Sequence, residues 1–166
     1  MNTIRKITSH FAVAGALAPA DFGQAAADGF KTVINFRPDH EAPGQMTAAE
    51  GRTLASAHGL GYVHIPSAKY DVFTGPVVEA ARAALAASNG PVLAYCASGQ
   101  RALMIWAAAE VRHTPVERVL QSLKAAGFDL QFLRDDLDAQ ADRAHWMKNE
   151  PVATATEACR DEMAEA

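Results

Sequence analysis

A cysteine and an arginine near the middle of the chain have the types and spacing to act on an anion. Cys96 ends the apolar run PVLAYC, and Arg101 follows it after four intervening residues, before an alanine-rich stretch. A thiolate is a strong nucleophile, and a guanidinium can donate two parallel hydrogen bonds to one oxyanion. The spacing therefore predicts Cys96 as a nucleophile and Arg101 as the residue that holds the anion.

The residues between them predict a short loop whose backbone completes an anion site. A loop that leads from a strand into a helix directs several peptide N–H groups to one side, and the helix dipole adds partial positive charge there. Gly99 allows a backbone conformation, or a close approach, that a Cβ atom would block. The alternative is an inert cysteine at the end of a buried strand. The predicted anion-binding residues are Ala97, Ser98, Gly99 and Gln100.

Strands and helices must alternate around this loop, and the sequence shows that alternation. Apolar and β-branched runs predict strands at 10–17, 31–36, 62–66 and 91–96. Prolines, glycines and the capping pattern TAAE predict helices at 19–30, 47–58, 76–88, 101–112, 115–127 and 128–148. This order predicts an α/β domain with a central, mostly parallel sheet of about four or five strands and helices on both faces. Ligands of such sheets bind beyond the carboxyl ends of the strands, where Cys96 lies.

Length and charge limit the classes of function. The chain has 166 residues, 49% of them hydrophobic, and a formal net charge of −4. We expect one folded domain at 1–148 and a flexible acidic tail at 149–166. A mildly acidic chain without a basic run argues against nucleic acid or an anionic membrane as a partner. The expected partner is therefore a small anionic substrate, and the oligomeric state stays open.

Cysteine and histidine spacing argues against a disulfide framework or a metal site. The two cysteines, Cys96 and Cys159, are 63 residues apart, and the six histidines show no His-x-x-x-His pattern. No metal or cofactor is therefore expected. Cys159 is interpreted as an incidental thiol, with reaction with an oxidised Cys96 as the alternative.

The first twenty residues allow two interpretations. Arg5 and Lys6 precede a short apolar run, a pattern that a signal peptide shares, but the run also suits a first strand. The strand is the favoured interpretation. No run reaches the ~20 apolar residues that would span a bilayer, so we expect a cytoplasmic protein.

Five segments together carry a family resemblance. They are GALAPADF (15–22), GFKTVINFRPDHE (29–41), GLGYVHIP (59–66), GPVLAYCASGQR (90–101) and AAGFDL (125–130). Over about residues 8–137 the chain resembles the phosphatase-like domain of bacterial beta-lactamase-hydrolase-like proteins, which is related in fold to dual-specificity protein phosphatases. The resemblance implies a parallel sheet flanked by helices, with Cys96 as nucleophile and Arg101 as anion clamp. Members of the family look like phosphatases and are also associated with sulfur metabolism.

The cysteine loop departs from the phosphatase pattern in four ways. Four residues rather than five separate Cys96 from Arg101, which is the spacing of many rhodanese-type sulfurtransferases. Tyr95 replaces the usual histidine, Ala97 replaces a basic residue, and Ala102 replaces the serine or threonine after the arginine. We favour a cysteine-dependent hydrolase of phosphomonoesters. The alternatives are a rhodanese-like sulfurtransferase, which takes sulfur from thiosulfate or a persulfide onto Cys96, and a non-catalytic anion-binding module.

Phosphoester hydrolysis also needs a proton donor for the leaving oxygen. Dual-specificity phosphatases carry an aspartate on a loop before the cysteine, so the resemblance implies Asp71, 25 residues before Cys96, as this acid. The alternative for Asp71 is a solvated loop carboxylate or a cap for the helix that follows. Asp39 and Glu41 are rivals for the role. Arg37 beside them would add positive charge to the site or pair with one of these carboxylates.

Overall fold

The structure is a computed structural model that describes residues 3–149, without the side chains of 146–149. Its strands are β1 Arg5–Lys6, β2 Phe11–Ala14, β3 Thr32–Asn35, β4 Gly61–His64 and β5 Val92–Tyr95. Within the described range they form one five-stranded sheet in the order β1-β2-β5-β3-β4. Strands β2, β5, β3 and β4 run parallel, and β1 pairs antiparallel with β2 at one edge.

The three inner strands are covered on both faces: β2 and β5 are apolar throughout, and β3 places Val33 and Ile34 between the buried polar residues Thr32 and Asn35. β2, β3 and β5 are buried along their whole length, as expected for strands packed between two layers. Their register pairs Ala14 with Tyr95, Tyr95 with Asn35, and Asn35 with His64. The carboxyl ends of all four parallel strands are therefore level, and the loops that follow them meet at one edge of the sheet.

Helices cover both faces of this sheet. They are α1 Pro19–Ala27, α2 Ala48–Ala57, α3 Gly75–Ala87, α4 Gln100–Glu110, α5 Val116–Ala125 and α6 Arg134–Asn149, the last preceded by a 3₁₀ turn at Gln131–Leu133. One core packs Phe22 of α1 and Ala55 of α2 against Val33 and Leu93. The opposite core packs α3 to α6 against alternate strand positions, and its members include Ile34, Val78, Ala94, Leu103, Leu120 and Leu137. The predicted fold class is confirmed.

Side-chain caps explain where the first helices begin. In α2 the Glu50 N–H donates to Thr47 Oγ1 over 3.2 Å, and the Thr47 N–H donates to Glu50 Oε2 over 2.7 Å. This reciprocal pair confirms the capping pattern predicted from TAAE. In α1 the Asp21 carboxylate accepts from the Ala18 N–H over 2.9 Å, and Pro19 is the first helical residue.

Among the described strands, β1 is the one that the sequence does not predict. It has two residues, both exposed, so it shows no apolar alternation. Arg5 pairs with Val13, and Lys6 pairs with Ala12, which brings the amino-terminal segment alongside β2. The consequence for the site is that Arg5 lies close to the carboxyl end of β2.

Residues 150–166, including Cys159, lie outside the described part of the chain. The boundary expected at residue 148 and the acidic tail therefore stay predictions. Between residues 3 and 149, no helix combines the length and the apolar character needed to cross a bilayer.

Candidate active site

Cys96 lies at the carboxyl edge of the sheet, directly after β5. Its side chain is 1% exposed, and its Sγ accepts a hydrogen bond from the Gly99 N–H over 3.1 Å. The residue lines an open cavity of about 450 Å³, which we call the Cys96 cavity; the other residues lining it are Lys69, Val72, Ala97, Ser98, Gln100, Arg101 and Met104. Cys96 is thus nearly covered, and it lines this cavity together with Ala97, Ser98 and Gln100 of the predicted anion-binding loop, whereas Gly99 does not line it.

The loop conformation depends on Gly99. Its φ of 90° lies in the left-handed region, and a Cβ atom there would come within 3.2 Å of the Ala14 carbonyl oxygen. The Ala97 carbonyl accepts from the Ala16 N–H over 3.2 Å, so the loop is also fixed to the end of β2. The Gly99 N–H is directed at sulfur, which makes it a donor to Cys96 rather than to a bound anion.

Several N–H groups of the loop remain available for an anion. Among the described residues, the backbone N–H groups of Ala97 and Ser98 donate to no protein acceptor. Helix α4 begins at Gln100. The Leu103 N–H donates to the carbonyl oxygen of Gly99, the residue before the helix. Helix starts leave such donors free in general, and the helix dipole adds to their attraction for anions. The backbone beside Cys96 is therefore suited to an oxyanion.

Arg101 is held by loops from the two neighbouring strands. The side chain is 6% exposed. Its Nη1 donates to the carbonyl oxygens of Ser67 (2.7 Å) and Phe36 (3.4 Å), and its Nη2 donates to Glu41 Oε1 (2.7 Å). A guanidinium has five N–H groups, so these bonds leave the Nε–H and one Nη2–H for a ligand. Arg101 is thus fixed in the wall of the Cys96 cavity with donors to spare.

Glu41 joins two arginines at this edge of the sheet. Its Oε1 accepts from Arg101, and its Oε2 accepts from Arg37 Nε over 2.7 Å. Partial burial opposes ionisation, but the hydrogen bonds from Arg37 and Arg101 outweigh it and lower the pKa of the Glu41 carboxyl. A carboxylate held in this way is a poor proton donor at neutral pH. Of the two pairings considered for Arg37, the structure contains the one with Glu41.

The second rival for the acid role has a structural contact. Asp39 Oδ1 accepts from the Ala48 N–H over 2.8 Å, at the first residue of α2. This contact satisfies a helix N–H that has no partner within the helix. Asp39 therefore supports the start of α2, as Thr47 does.

Asp71 lies in the loop that borders the cavity, but its side chain does not line it. The residue is exposed, and its carbonyl oxygen accepts from Thr74 through the backbone N–H (3.0 Å) and the hydroxyl (2.8 Å). Lys69 and Val72, on either side of it in sequence, do line the cavity. The structure therefore brings the predicted acid to the rim and not to the sulfur.

Lys69 and a tyrosine network are features that the sequence reasoning missed. Lys69 supplies a cation to the cavity wall, whereas Ala97 contributes none. Tyr95 lies in the core on the other side of the sheet from Cys96, and its hydroxyl is 3.0 Å from that of Tyr62. Burial raises the pKa of both phenols, so both stay neutral. Alternation along β5 could have indicated that Tyr95 and Cys96 point to opposite faces.

Asn35 extends this network toward the arginines. Its Nδ2 donates to the Tyr62 hydroxyl over 3.0 Å, and its Oδ1 accepts from the Arg37 N–H over 2.8 Å. The buried amide therefore fixes the backbone at Arg37, from which the loop to Glu41 starts. The network has a positioning role for the loop that carries the Glu41 carboxylate.

Comparison with known sequences gives a family. Residues 3–112 match the phosphatase-like domain of beta-lactamase hydrolase-like proteins. A beta-lactamase hydrolase-like protein of Agrobacterium fabrum (strain C58) is 35% identical over 127 residues, which is 75% of this chain. The match covers 29% of that relative, so the chain spans less than a third of its length.

Similar solved structures support the same fold. A candidate phosphatase from Neisseria meningitidis has a TM-score of 0.71 and 32% identity, with 82% of this chain and 97% of that chain covered. A kinase-associated phosphatase, solved with its catalytic-site cysteine changed to serine, has a TM-score of 0.60 and 11% identity, with 91% and 97% covered. The latter likeness shows a dual-specificity-phosphatase-like fold. With the sequence matches, the conclusion is that the chain belongs to the family of phosphatase-like domains of beta-lactamase hydrolase-like proteins.

Proposed function

We propose that the chain hydrolyses phosphomonoesters, with the Cys96 thiolate as nucleophile. The observation that carries the proposal is the common cavity of Cys96, the Arg101 guanidinium and the start of α4. Free backbone donors of Ala97 and Ser98 lie in the same loop. A nucleophile and convergent donors around one space are what in-line phosphoryl transfer requires. The proposed partner is accordingly a small anionic substrate.

The reaction would proceed in two displacements. In the first, the thiolate attacks phosphorus, an S–P bond forms, and the P–O bond to the leaving group breaks as that oxygen takes a proton. In the second, water attacks phosphorus and gives up a proton, the S–P bond breaks, and inorganic phosphate leaves with the thiolate restored. Arg101 and the loop N–H groups bind the equatorial oxygens in both steps.

The Gly99 N–H takes part in the second displacement. The departing sulfur needs a hydrogen-bond donor, and Ala102 has no hydroxyl to supply one. The N–H of Gly99 already donates to Sγ over 3.1 Å. It would stabilise the thiolate as the S–P bond breaks.

We propose Asp71 as the acid of the first displacement and the base of the second. Its support is its place between Lys69 and Val72, both of which line the Cys96 cavity. Its carboxylate has no hydrogen-bond partner among the described residues and is exposed, so a rotation of this loop would bring it to the leaving oxygen. The rivals Asp39 and Glu41 are engaged by α2 and by two arginines.

The test is hydrolysis of an aryl phosphate by the wild type and three variants. Cys96→Ser should lower kcat by about 10³-fold or more, since it removes the nucleophile. Arg101→Lys should lower kcat/KM by about 10²-fold, because lysine cannot give the same fork of donors. Cys159→Ser is the matched control for loss of a thiol and should keep the wild-type rate. Equal rates for wild type and Cys96→Ser would overturn the proposal.

A parallel incubation with thiosulfate separates the two alternatives. The thiosulfate incubation is needed because many rhodanese-type sulfurtransferases share the spacing of four residues between Cys96 and Arg101. A gain of one sulfur atom on Cys96 in the intact mass, without phosphate release in the first arm, would replace the hydrolase by a sulfurtransferase. Phosphate binding without turnover in either arm would leave an anion-binding module.

A further inference from the structure

A second cavity adjoins the Cys96 cavity, and the proposed hydrolysis does not use it. It encloses about 400 Å³, a volume typical of small-molecule sites. Ser98, Gln100 and Met104 line both cavities, so the two meet at the start of α4. We call this second space the apolar cavity. The two cavities are therefore neighbours on either side of these shared residues.

The walls of the apolar cavity are mostly hydrocarbon. Leu103 comes from α4, and Phe128 and Leu130 come from the segment between α5 and α6. Phe132 also lines it and is 73% exposed, one of two large apolar side chains exposed to that degree in the described residues. The other is Tyr70, next to Lys69 of the Cys96 cavity. Exposed apolar side chains beside an apolar cavity wall indicate a binding surface, because a bound ligand would remove this apolar area from water.

Arg5 provides a charge at this apolar cavity. Its guanidinium lies over the Phe128 ring, 4.4 Å from the centroid, and the side chain lines the cavity. Within residues 3–149, Arg5 has no carboxylate at ion-pair distance. The pairing of β1 with β2 fixes its backbone. In a chain of net charge −4, an arginine without an acidic partner at the mouth of an apolar cavity is a candidate anion contact.

We infer that the site takes an elongated phosphomonoester: the phosphate binds in the Cys96 cavity, an apolar body fills the apolar cavity, and an acidic far end pairs with Arg5. The inference rests on the proposed function and names its substrate class. A small molecule fits the wall of Leu103, Phe128 and Leu130 better than a peptide, because these side chains offer no partners for backbone N–H and C=O groups. The polar side chains of the lining are those of Thr3, Arg5, Ser98 and Gln100.

The experiment compares three phosphates: phenyl phosphate, a para-alkylphenyl phosphate, and a para-carboxyalkyl analogue with a chain of equal length. For the wild type, kcat/KM should rise about tenfold from phenyl phosphate to the alkyl compound, because more apolar surface is buried. Phe132→Ala should remove most of that rise. Phe132 is exposed, so this variant keeps the fold.

The proposed ion pair between Arg5 and the acidic end of the substrate is tested with Arg5→Gln. This substitution should lower kcat/KM for the carboxyalkyl compound about fivefold, the size of an exposed ion pair, and change kcat/KM for the two uncharged-tail substrates by much less. Arg52→Gln is the matched control: Arg52, on α2, is also exposed, and its guanidinium lies over the aromatic ring of Tyr62 in β4. It should change none of the three values.

Binding of the same compounds to Cys96→Ser, measured by calorimetry, separates this inference from the proposed function. If no phosphate is hydrolysed but the carboxyalkyl compound still binds more tightly than phenyl phosphate in an Arg5-dependent way, the inference stands and the hydrolase fails. Equal affinities for the three compounds overturn the inference, even if hydrolysis is fast. Tighter, Arg5-dependent binding of a tyrosine-phosphorylated peptide would also overturn it, since the occupant would then be a protein segment.

Discussion

Among single residues, Gly99 contacts both the Cys96 sulfur and the end of strand β2. Its left-handed backbone turns the chain from Cys96 into α4, its N–H donates to Sγ, and its Cα faces the Ala14 carbonyl. A side chain there meets two penalties at once, one from the dihedral angle and one from β2. The donor to the proposed nucleophile therefore depends on the absence of one Cβ atom.

We predict that Gly99→Ala destabilises the fold and lowers turnover together. The left-handed angle should cost about 1–2 kcal/mol, and displacement of the loop from Ala14 should add to it. Gly29→Ala is the matched control, because its φ is +89° and nothing lies within 4 Å of its Cβ position. It should show the angular cost alone and the wild-type kcat. Urea unfolding and aryl phosphate hydrolysis measure both; equal effects of the two substitutions would contradict the prediction.

Glu41 is the second residue on which the site depends, since it is the shared counter-ion of Arg37 and Arg101. Its folded-state pKa lies below the ordinary value of 4.5. A lowered folded-state pKa means that the ionised carboxylate stabilises the folded state above pH 4.5 and loses this effect as the pH falls through the folded-state pKa. The stabilisation is therefore complete at neutral pH and absent in strong acid.

We predict that Glu41→Gln lowers the free energy of unfolding at neutral pH and that the difference from wild type narrows below pH 4.5. It should also raise KM for an aryl phosphate, because an uncharged amide has one acceptor oxygen where the carboxylate supplies one to Arg37 and one to Arg101, so Arg101 is held less firmly. Urea titrations over a pH series measure the first effect, and steady-state kinetics measures the second. A difference that stays constant through the acid range would show that the carboxylate is not held by the arginines.

At the scale of elements, the sequence predicts what is local and misses what depends on distant contacts. Strands β2 to β5 and helices α1 to α5 follow from apolar runs, prolines and the Thr47 cap, to within a few residues. The sequence predicts the last helix from residue 128, but a 3₁₀ turn at Gln131–Leu133 comes first and α6 begins at Arg134. The Cys96 loop is local as well, so its motif could be read directly. The partners of Arg101 lie 34, 60 and 65 residues away, on loops after β3 and β4, and no spacing rule predicts them. Strand β1 is missed because two exposed residues carry no pattern.

The loop between β4 and α3 carries the proposed acid, and a leaving-group series tests it. Protonation matters most for a poor leaving group, so Asp71→Asn should lower kcat about 10²-fold for phenyl phosphate and far less for a nitrophenyl phosphate. Thr74, whose N–H and hydroxyl both donate to the Asp71 carbonyl, keeps these bonds in the variant, so stability should not change. Asp39→Asn is a comparison for a carboxylate bound to a helix start. An equal loss on both substrates would remove Asp71 from the acid role.

At the scale of the whole molecule, one sheet separates two cores, and the site lies where both end. Tyr95 belongs to the core under α1 and α2, and Cys96, the next residue, belongs to the core under α3 to α6. The same alternation holds for Val33 and Ile34. Because the same strands contribute side chains to both cores, loss of either core would disturb the backbone that positions the site. We therefore expect the helices on the two faces of the sheet to unfold together.

Phe22→Ala tests this coupling across the sheet. Phe22 is fully buried in the α1–α2 core, and its truncation should lower the free energy of unfolding by about 3–5 kcal/mol. Trp106 lies in the opposite core, stacked on Phe11 with ring centroids 5.0 Å apart. In a Trp146→Phe background its fluorescence reports that core alone, while circular dichroism reports the whole chain. Both signals should move to the same lower midpoint; a Trp106 transition left at the wild-type midpoint would mean that the two layers unfold separately.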